Sequence, residues 1–349
     1  MKDRLLHQQI MQEFTINGAT GSSKIILDNI PDCLPDLLPG ADVFVITDDQ
    51  VKSHWGHFFP NAPVYVMKAG ERSKTIDTAT DICRWLTKVG ADRSSFILGF
   101  GGGVVCDMTG FVASVYMRGV SFGYVPTSLL AQIDAAIGGK TGINLDGFKN
   151  MIGTFRQPKF VLIDPQTLNT LPDIECRNGL AEAVKHCLIA DKSMFNMLME
   201  HIPDILAKKT NLIRQLIERS VRVKVDIVNR DELEAGERRK LNLGHTWGHA
   251  VEKTDTIPHG QAVSIGLAFA AKLSEQRGML KKTQRQDIIR LLQLLGLPTE
   301  TNTPAALIYD AIQKDKKKED DKIHFVFIKE IGSVEVIPIT MKELTKGFI

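Results

Sequence analysis

Short apolar runs bounded by polar or glycine-rich stretches recur through the first half of the chain: Val43 to Thr47, Val64 to Met67, Phe96 to Phe100, Phe122 to Val125 and Phe160 to Ile163. Runs this short, rich in Val, Ile and Phe and lacking a polar alternation, fit strands covered on both faces. Between them, Thr78 to Val89 and Val104 to Tyr116 carry apolar residues at the three- and four-residue spacing of a helix. Strands alternating with helices predict an α/β layer with a mainly parallel sheet. After Leu171-Pro172 the pattern changes. Asn178 to Ala190, Ile202 to Ala207, Asn211 to Asn229, Gly244 to Lys253, Gln261 to Arg277 and Gln284 to Leu294 all have helical spacing. A short hairpin follows, with strands at Ile323 to Ile328 and Val334 to Ile337 and a turn at Gly332-Ser333. The charged run Lys314 to Lys322 reads as a solvated loop. The division falls near residue 175, giving an α/β domain over 1–175 and a mainly α-helical domain over 176–349.

A length of 349 residues is more than one ordinary core holds, which agrees with two domains. The net charge of +2 favours neither a nucleic-acid groove nor a membrane surface as partner. Five cysteines, at 33, 83, 106, 176 and 187, form no C-x-x-C. An odd number argues against a disulfide framework, and the missing motif against a zinc knuckle; both suit a reducing cytoplasm. The first residues have no apolar core of the signal-peptide kind, and no run approaches a membrane span.

Gly99-Phe-Gly-Gly-Gly103 follows a strand and opens a helix. Glycines there let backbone N–H groups approach a pyrophosphate at the positive end of the helix dipole, although tight turns use glycine too. The spacing G-x-G-x-x-G is not met, because Cys106 stands where the last glycine would be. Asp48, at the end of an earlier strand, is either a ribose acceptor or an ordinary cap aspartate. In the second half, His245-Thr-Trp-Gly-His249 sets two imidazoles one turn apart on a helix face, without the glutamate of H-E-x-x-H. His259 sits in a Pro-His-Gly turn, and Glu182 and Lys185 share a helix face. One carboxylate and two imidazoles would serve a catalytic zinc with an open position; ordinary surface or core histidines are the alternative. Lys224 falls within the apolar stripe Ile213, Leu216, Ile217, Val221 and Val228. A lysine facing inward there either meets an anion or extends its amine to solvent.

Around these residues the chain resembles the 3-dehydroquinate synthases, from about Val43 to Ile337. The segments that carry the resemblance are Gly101 to Asp107, Tyr116-Met-Arg-Gly119, Val125 to Asp134, Gly138-Gly-Lys-Thr141, Lys149 to Gly153, Gln157-Pro158, Thr170-Leu-Pro172, Gly179 to Lys185, Leu241 to His249 and His259-Gly260. Many ordered segments at family-like intervals are more specific than any one motif. The resemblance implies a Rossmann-like NAD-binding domain, a helical metal-binding domain and a substrate cleft between them. It gives Zn²⁺ (with Co²⁺ as a substitute) to Glu182, His245 and His259, which moves His249 to the substrate. It places Asp48, Glu71, Lys74, Gly102, Gly103, Val104, Asp107, Thr127, Ser128 and Thr170 around NAD, with Asp134, Lys140 and Lys149 shared between NAD and substrate. Asn150, Lys185, Lys224, Arg238, Asn242, His249 and a late lysine, Lys316 or its neighbour Lys317, surround the substrate. Arg118 matches an arginine that reaches the neighbouring subunit's site, so a homodimer is implied. The chain departs from the family at Cys106 for glycine, Ser128 for threonine, Gln261 for glutamate, a short segment before His259, and Asn144-Leu-Asp-Gly in place of a His-Pro pattern.

The activity implied is a cytoplasmic lyase of the shikimate pathway. It would convert 3-deoxy-D-arabino-heptulosonate 7-phosphate to 3-dehydroquinate and phosphate by transient oxidation, elimination, reduction and intramolecular aldol closure. Three competing readings are another sugar-phosphate cyclase, making an inosose or a valiolone; a metal-dependent polyol dehydrogenase; and a non-catalytic nucleotide-binding regulator. Arg238, Asn242 and Lys224 argue against the first, because it needs fewer carboxylate-binding cations. The same cationic set argues against a dehydrogenase of neutral polyols, and the intact metal set against the regulator.

Overall fold

The five apolar runs of the first half become parallel strands of one sheet. In the computed structural model, which describes residues 11–40, 42–146, 148–255, 257–316 and 322–345, the chain divides into two compact units, Met1–Thr170 and Leu171–Ile349. The first begins with strands β1 (Gln12–Gly18) and β2 (Gly21–Leu27), helix α1 (Ile30–Leu37), β3 (Val43–Asp48), α2 (Asp49–Trp55) and β4 (Val64–Met67). It continues through α3 (Ile76–Lys88), β5 (Phe96–Gly101), α4 (Gly103–Val115), β6 (Ser121–Pro126), β7 (Lys140–Leu145), β8 (Phe148–Phe155) and β9 (Phe160–Ile163). Seven strands form the sheet in the order β1-β2-β9-β6-β5-β3-β4. Only β1 runs antiparallel to its neighbour. Val45, Leu98, Phe100, Val125 and Leu162 are buried in the core beneath it. β7 and β8 pair separately as an antiparallel hairpin.

The strand order fixes where a ligand belongs. The chain leaves β3 toward β4 on one side, and leaves β5 toward β6 on the other. The crevice at the carboxyl ends of β3 and β5, where the winding reverses, is the position at which open α/β sheets bind ligands.

The second unit contains α5 (Asp173–Ala190), α6 (Lys192–Glu200), α7 (Ile202–Leu206), α8 (Thr210–Arg230), α9 (His245–Asp255), α10 (His259–Gln276), α11 (Lys282–Leu294) and α12 (Ala305–Lys316), then the hairpin β10 (Lys322–Glu330) and β11 (Ser333–Thr340) and the short α13 (Met341–Thr345). α5 and α10 are buried around most of their circumference, as expected of helices at the centre of a unit rather than on its surface. α10 packs against both α9 and α5, and α5 also packs against α8. The charged run is not a loop over its first residues. Ile308 and Ile312 are buried, and the good helix formers that follow carry α12 on to Lys316. Residues 317–321 lie outside the described residues, Lys317 among them; of Lys316 the backbone alone is described. No described helix is long and apolar enough to cross a membrane.

Glycines let α10 approach its neighbours closely. A Cβ on Gly266 would stand 1.8 Å from the Gly244 carbonyl oxygen, and one on Gly260 2.3 Å from Asn178 Cα. These are backbone atoms that cannot swing aside. Gly266→Ala is therefore expected to cost about 3 kcal/mol through overpacking, read as a fall in Tm of roughly 6–12 °C. Gly40→Ala, where an added Cβ meets nothing within 4 Å, should leave Tm unchanged.

Candidate functional site

In the first unit the glycine turn is built on the sheet. Gly102 is the N-cap of α4 and supplies no side-chain cap, so the N–H groups of the first turn are left for a ligand. A Cβ on Gly102 would lie 3.5 Å from Ser128 Oγ, and one on Gly103 3.4 Å from Ala135 Cβ, beside Asp134 in the π-helical turn Ala131–Ala135. The glycine missing from the fingerprint at position 106 normally permits close helix–strand packing. Here strand glycines do so: Cβ atoms on Gly99 and Gly101 would meet Thr109 and Val105 of α4 at 2.7 Å and 2.6 Å. Cys106 is accommodated, 1% exposed, with its thiol directed to the Gly101 carbonyl.

Asp48 ends β3 and caps α2, accepting from the Val51 N–H at 2.8 Å. Burial raises its pKa, against the lowering effect of the backbone N–H groups of Val51 and Gln50. Lys74 joins two of the other selected residues. Its buried amine donates to Asp107 Oδ2 and to Asn150 Oδ1, each at 2.5 Å. Glu71 accepts from Asn144 Nδ2 at 2.8 Å, and Asn144 Oδ1 accepts from the Asn150 N–H. The turn of the β7–β8 hairpin is thereby fastened to the loop before α3, with Asn150 held at φ 53°. Thr127 follows β6 and donates its N–H to the Gly101 carbonyl. Val104 is half-buried on the first turn of α4, and Lys140 and Lys149 are exposed on the hairpin. Thr170 pairs with Trp55, and no described hydrogen bond ties it to the other selected residues. Arg118 is exposed, in a left-handed turn with Met117.

The second unit gathers the proposed metal ligands. The α5–α10 contact at Gly260 and the α9–α10 contact at Gly266 bring Glu182, His245 and His259 together, with one donor atom from each within 4.8 Å of the others. Glu182 Oε1 lies 3.5 Å from His245 Nε2 and 3.2 Å from His259 Nε2. Its other oxygen is 2.5 Å from Lys185 Nζ, and both residues are 1% exposed. Burial alone would raise the Glu182 pKa, but the Lys185 ammonium, aided by His245, holds it well below the usual carboxylate range. Burial lowers the His245 pKa, against the raising effect of Glu182; a metal needs the imidazole neutral. His259, lowered by burial but bonded to Glu182 and Glu252, is pushed up to about 9. One carboxylate and two imidazoles on rigid helices leave a fourth position open, a donor set that fits Zn²⁺ or Co²⁺.

His249 is exposed; its ring centroid lies 5.0 Å from that of His245 and 6.0 Å from that of His259. Lys224 is buried on α8. Arg238 is 2% exposed, in the helical turn Glu237–Asn242, which packs against both α5 and α8. Burial lowers its pKa, and Glu234, Asp231 and Glu232 oppose that. Sequence reasoning missed the acids that support this set. Asp231 accepts from the N–H groups of Ala235, Gly236 and Arg238, Glu234 accepts from Asn242 Nδ2, and Glu252 reaches His259. Glu252 was within reach of the helical pattern, since positions 245, 249 and 252 follow the 4-3 spacing of one face.

Two family models match the chain: the 3-dehydroquinate synthase N-terminal model over residues 64–178 and the C-terminal model over 179–318. The chain is 45% identical over 328 residues to the 3-dehydroquinate synthase of Pyrococcus abyssi (strain GE5 / Orsay), covering 89% of this chain and 94% of that one. Among solved structures it resembles the 2-epi-5-epi-valiolone synthase ValA of Streptomyces hygroscopicus subsp. jinggangensis 5008, with NAD⁺ and Zn²⁺ bound. The TM-score is 0.87 at 26% identity, over 96% of each chain. A 2-deoxy-scyllo-inosose synthase, complexed with carbaglucose-6-phosphate, NAD⁺ and Co²⁺, has a TM-score of 0.85 at 22% identity, over 96% of this chain and 98% of that one, a likeness of fold.

Proposed function

The chain belongs to the 3-dehydroquinate synthase family, and from that premise we propose that it converts 3-deoxy-D-arabino-heptulosonate 7-phosphate to 3-dehydroquinate and inorganic phosphate. The observation that carries this reading is the company of the metal donor set. Lys224 and Arg238 are buried cationic residues on α8 and the turn 237–242, which pack on each other and on α5, the helix that carries Glu182. Cationic side chains placed beside a metal donor set can add charge-assisted bonds to an anionic substrate; a neutral polyol has no charge to offer them, whereas this substrate brings a carboxylate and a phosphate.

When bound, NAD takes a hydride from a secondary alcohol and later returns it, and the divalent cation polarises that alcohol. Glu182, His245 and His259 hold the cation. The uncapped start of α4 at Gly102 and Gly103, with Val104, Thr127, Ser128 and Asp48 at the carboxyl ends of the sheet, receives the dinucleotide. Glu71, Lys74, Asp107 and Thr170 complete its surroundings. Lys224, Arg238 and Asn242 bind the substrate's anions, together with His249, Lys185 and a late lysine, Lys316 or Lys317. On the first unit, Asp134, Lys140, Lys149 and Asn150 are the residues we assign to the substrate. Phosphate departure and aldol closure then depend on holding one substrate in a reactive pose, which is entropic work that fixed cations perform well.

The protein acts as a homodimer. Val115, Met117, Phe148, Met151 and Phe155 are exposed on α4, the turn after it and β8, elements joined by the bond between Thr154 and Ser114. Exposed apolar side chains on these elements suit a subunit contact, and Arg118, exposed in the turn after α4, would be delivered to the partner by it. Five thiols without a disulfide suit the cytoplasm.

Incubation with the heptulosonate phosphate and catalytic NAD tests the reaction. One phosphate should appear per substrate consumed, with no build-up of reduced nicotinamide absorbance over many turnovers. Stoichiometric NADH without phosphate would show a polyol dehydrogenase instead.

A further inference from the structure

His259 touches a carboxylate with each ring nitrogen. Nε2 lies 3.2 Å from Glu182 Oε1, and Nδ1 lies 3.4 Å from Glu252 Oε2. Glu252 is 8% exposed. It sits on α9, one and two turns beyond His249 and His245, so a single helix carries both a metal donor and this second acid. An imidazole has two tautomers, and it offers its Nε2 lone pair to a metal only when the proton resides on Nδ1. A carboxylate facing Nδ1 holds the proton there, fixes the ring about its axis and strengthens the donor on the far side.

We infer that Glu252 is a positioning residue for the metal centre: it accepts the Nδ1–H of His259 and thereby presents Nε2 to the cation shared with Glu182 and His245. This rests on the proposed metal role of His259. Glu252, His249 and His259 also have donor atoms within 4.8 Å of one another, so a second ion held directly by Glu252 is the competing arrangement. It would take Nδ1 as a ligand, leaving no proton there for Glu252 to accept. A positioning acid needs one metal per chain, and direct ligation needs two.

The test uses the full chain, stripped of metal and titrated with Zn²⁺ against a chromophoric chelator, then loaded with Co²⁺ for its visible absorption bands. Glu252→Leu keeps side-chain bulk but has no acceptor. It should raise the zinc Kd by about 10–100-fold and shift the Co²⁺ bands, with one metal per chain in the wild type. Glu252→Gln, whose amide oxygen still accepts from Nδ1–H, should bind zinc within a few-fold of wild type. Circular dichroism and Tm check that both variants are folded; if Glu252→Leu is not, Glu252→Ala, which also has no acceptor, carries the same comparison. Wild-type affinity and bands in Glu252→Leu would overturn the inference, as would two zinc ions per wild-type chain with one lost in that variant. His259→Ala separates the layers. If wild type and His259→Ala bind zinc alike, the proposed metal centre itself falls; if they differ while Glu252→Leu matches wild type, only the role of Glu252 falls.

Discussion

His259→Ala is expected to purify folded, with less than one-tenth of the wild-type zinc and with turnover reduced by at least about three orders of magnitude. Loss of Lewis-acid stabilisation worth several kcal/mol sets the scale, at 1.36 kcal/mol per factor of ten. The fold should survive because His259 occupies the first turn of α10 with its side chain 31% exposed, while the contacts that seat the helix come from Gly260 and Gly266. His249→Ala should behave differently, keeping its zinc while KM rises, since Glu182, His245 and His259 form a donor set without it. Metal analysis of the two purified variants decides the matter; full zinc occupancy in His259→Ala would refute the assignment.

Arg238→Met is expected to lower kcat/KM by about 10²- to 10⁴-fold. The guanidinium can make two charge-assisted bonds to a substrate anion, each worth ~1.5–3 kcal/mol. Stability should fall as well, because Glu234, Asp231 and Glu232 lose the counter-charge they face; a loss of kcat/KM measured on folded protein separates the two effects. The local backbone should persist, since the Asp231 carboxylate accepts from the backbone N–H of residue 238. The side-chain bond to the Glu232 carbonyl would be lost. Lys224→Met tests the neighbouring cation in the same way. Steady-state kinetics and denaturant melts of both variants check this, and unchanged kinetics in both would remove the anion-binding role.

The parallel sheet was legible because strands buried on both faces leave continuous apolar runs: Val64–Met67 and Phe160–Ile163 have the bounds read from the sequence. The hairpin β1–β2 was not, since β1 is an edge strand with polar residues such as Thr15 and Asn17 on its exposed face. β8 was hidden for a similar reason, its residues lying mostly exposed. In the second unit, helical periodicity located α5, α8, α9 and α10; for Lys224 the apolar stripe left an inward amine and a solvent-reaching one open, and the structure has the residue buried. Sequence could not choose between the two histidines of α9 without the resemblance, because that choice depends on which ring α5 and α10 approach. It also could not show Asp231 closing its loop through three N–H groups, because backbone donors leave no trace in residue identity.

Glu182 and Lys185 occupy one turn of a helix buried on almost every side. The carboxylate that would bind a cation therefore already has a counter-charge supplied by its own helix, and the centre is close to electroneutral before any ion arrives. Folding and metal loading become separable events: the chain can complete its core in a cell momentarily short of zinc and take up the ion afterwards, with no exposed intermediate to protect.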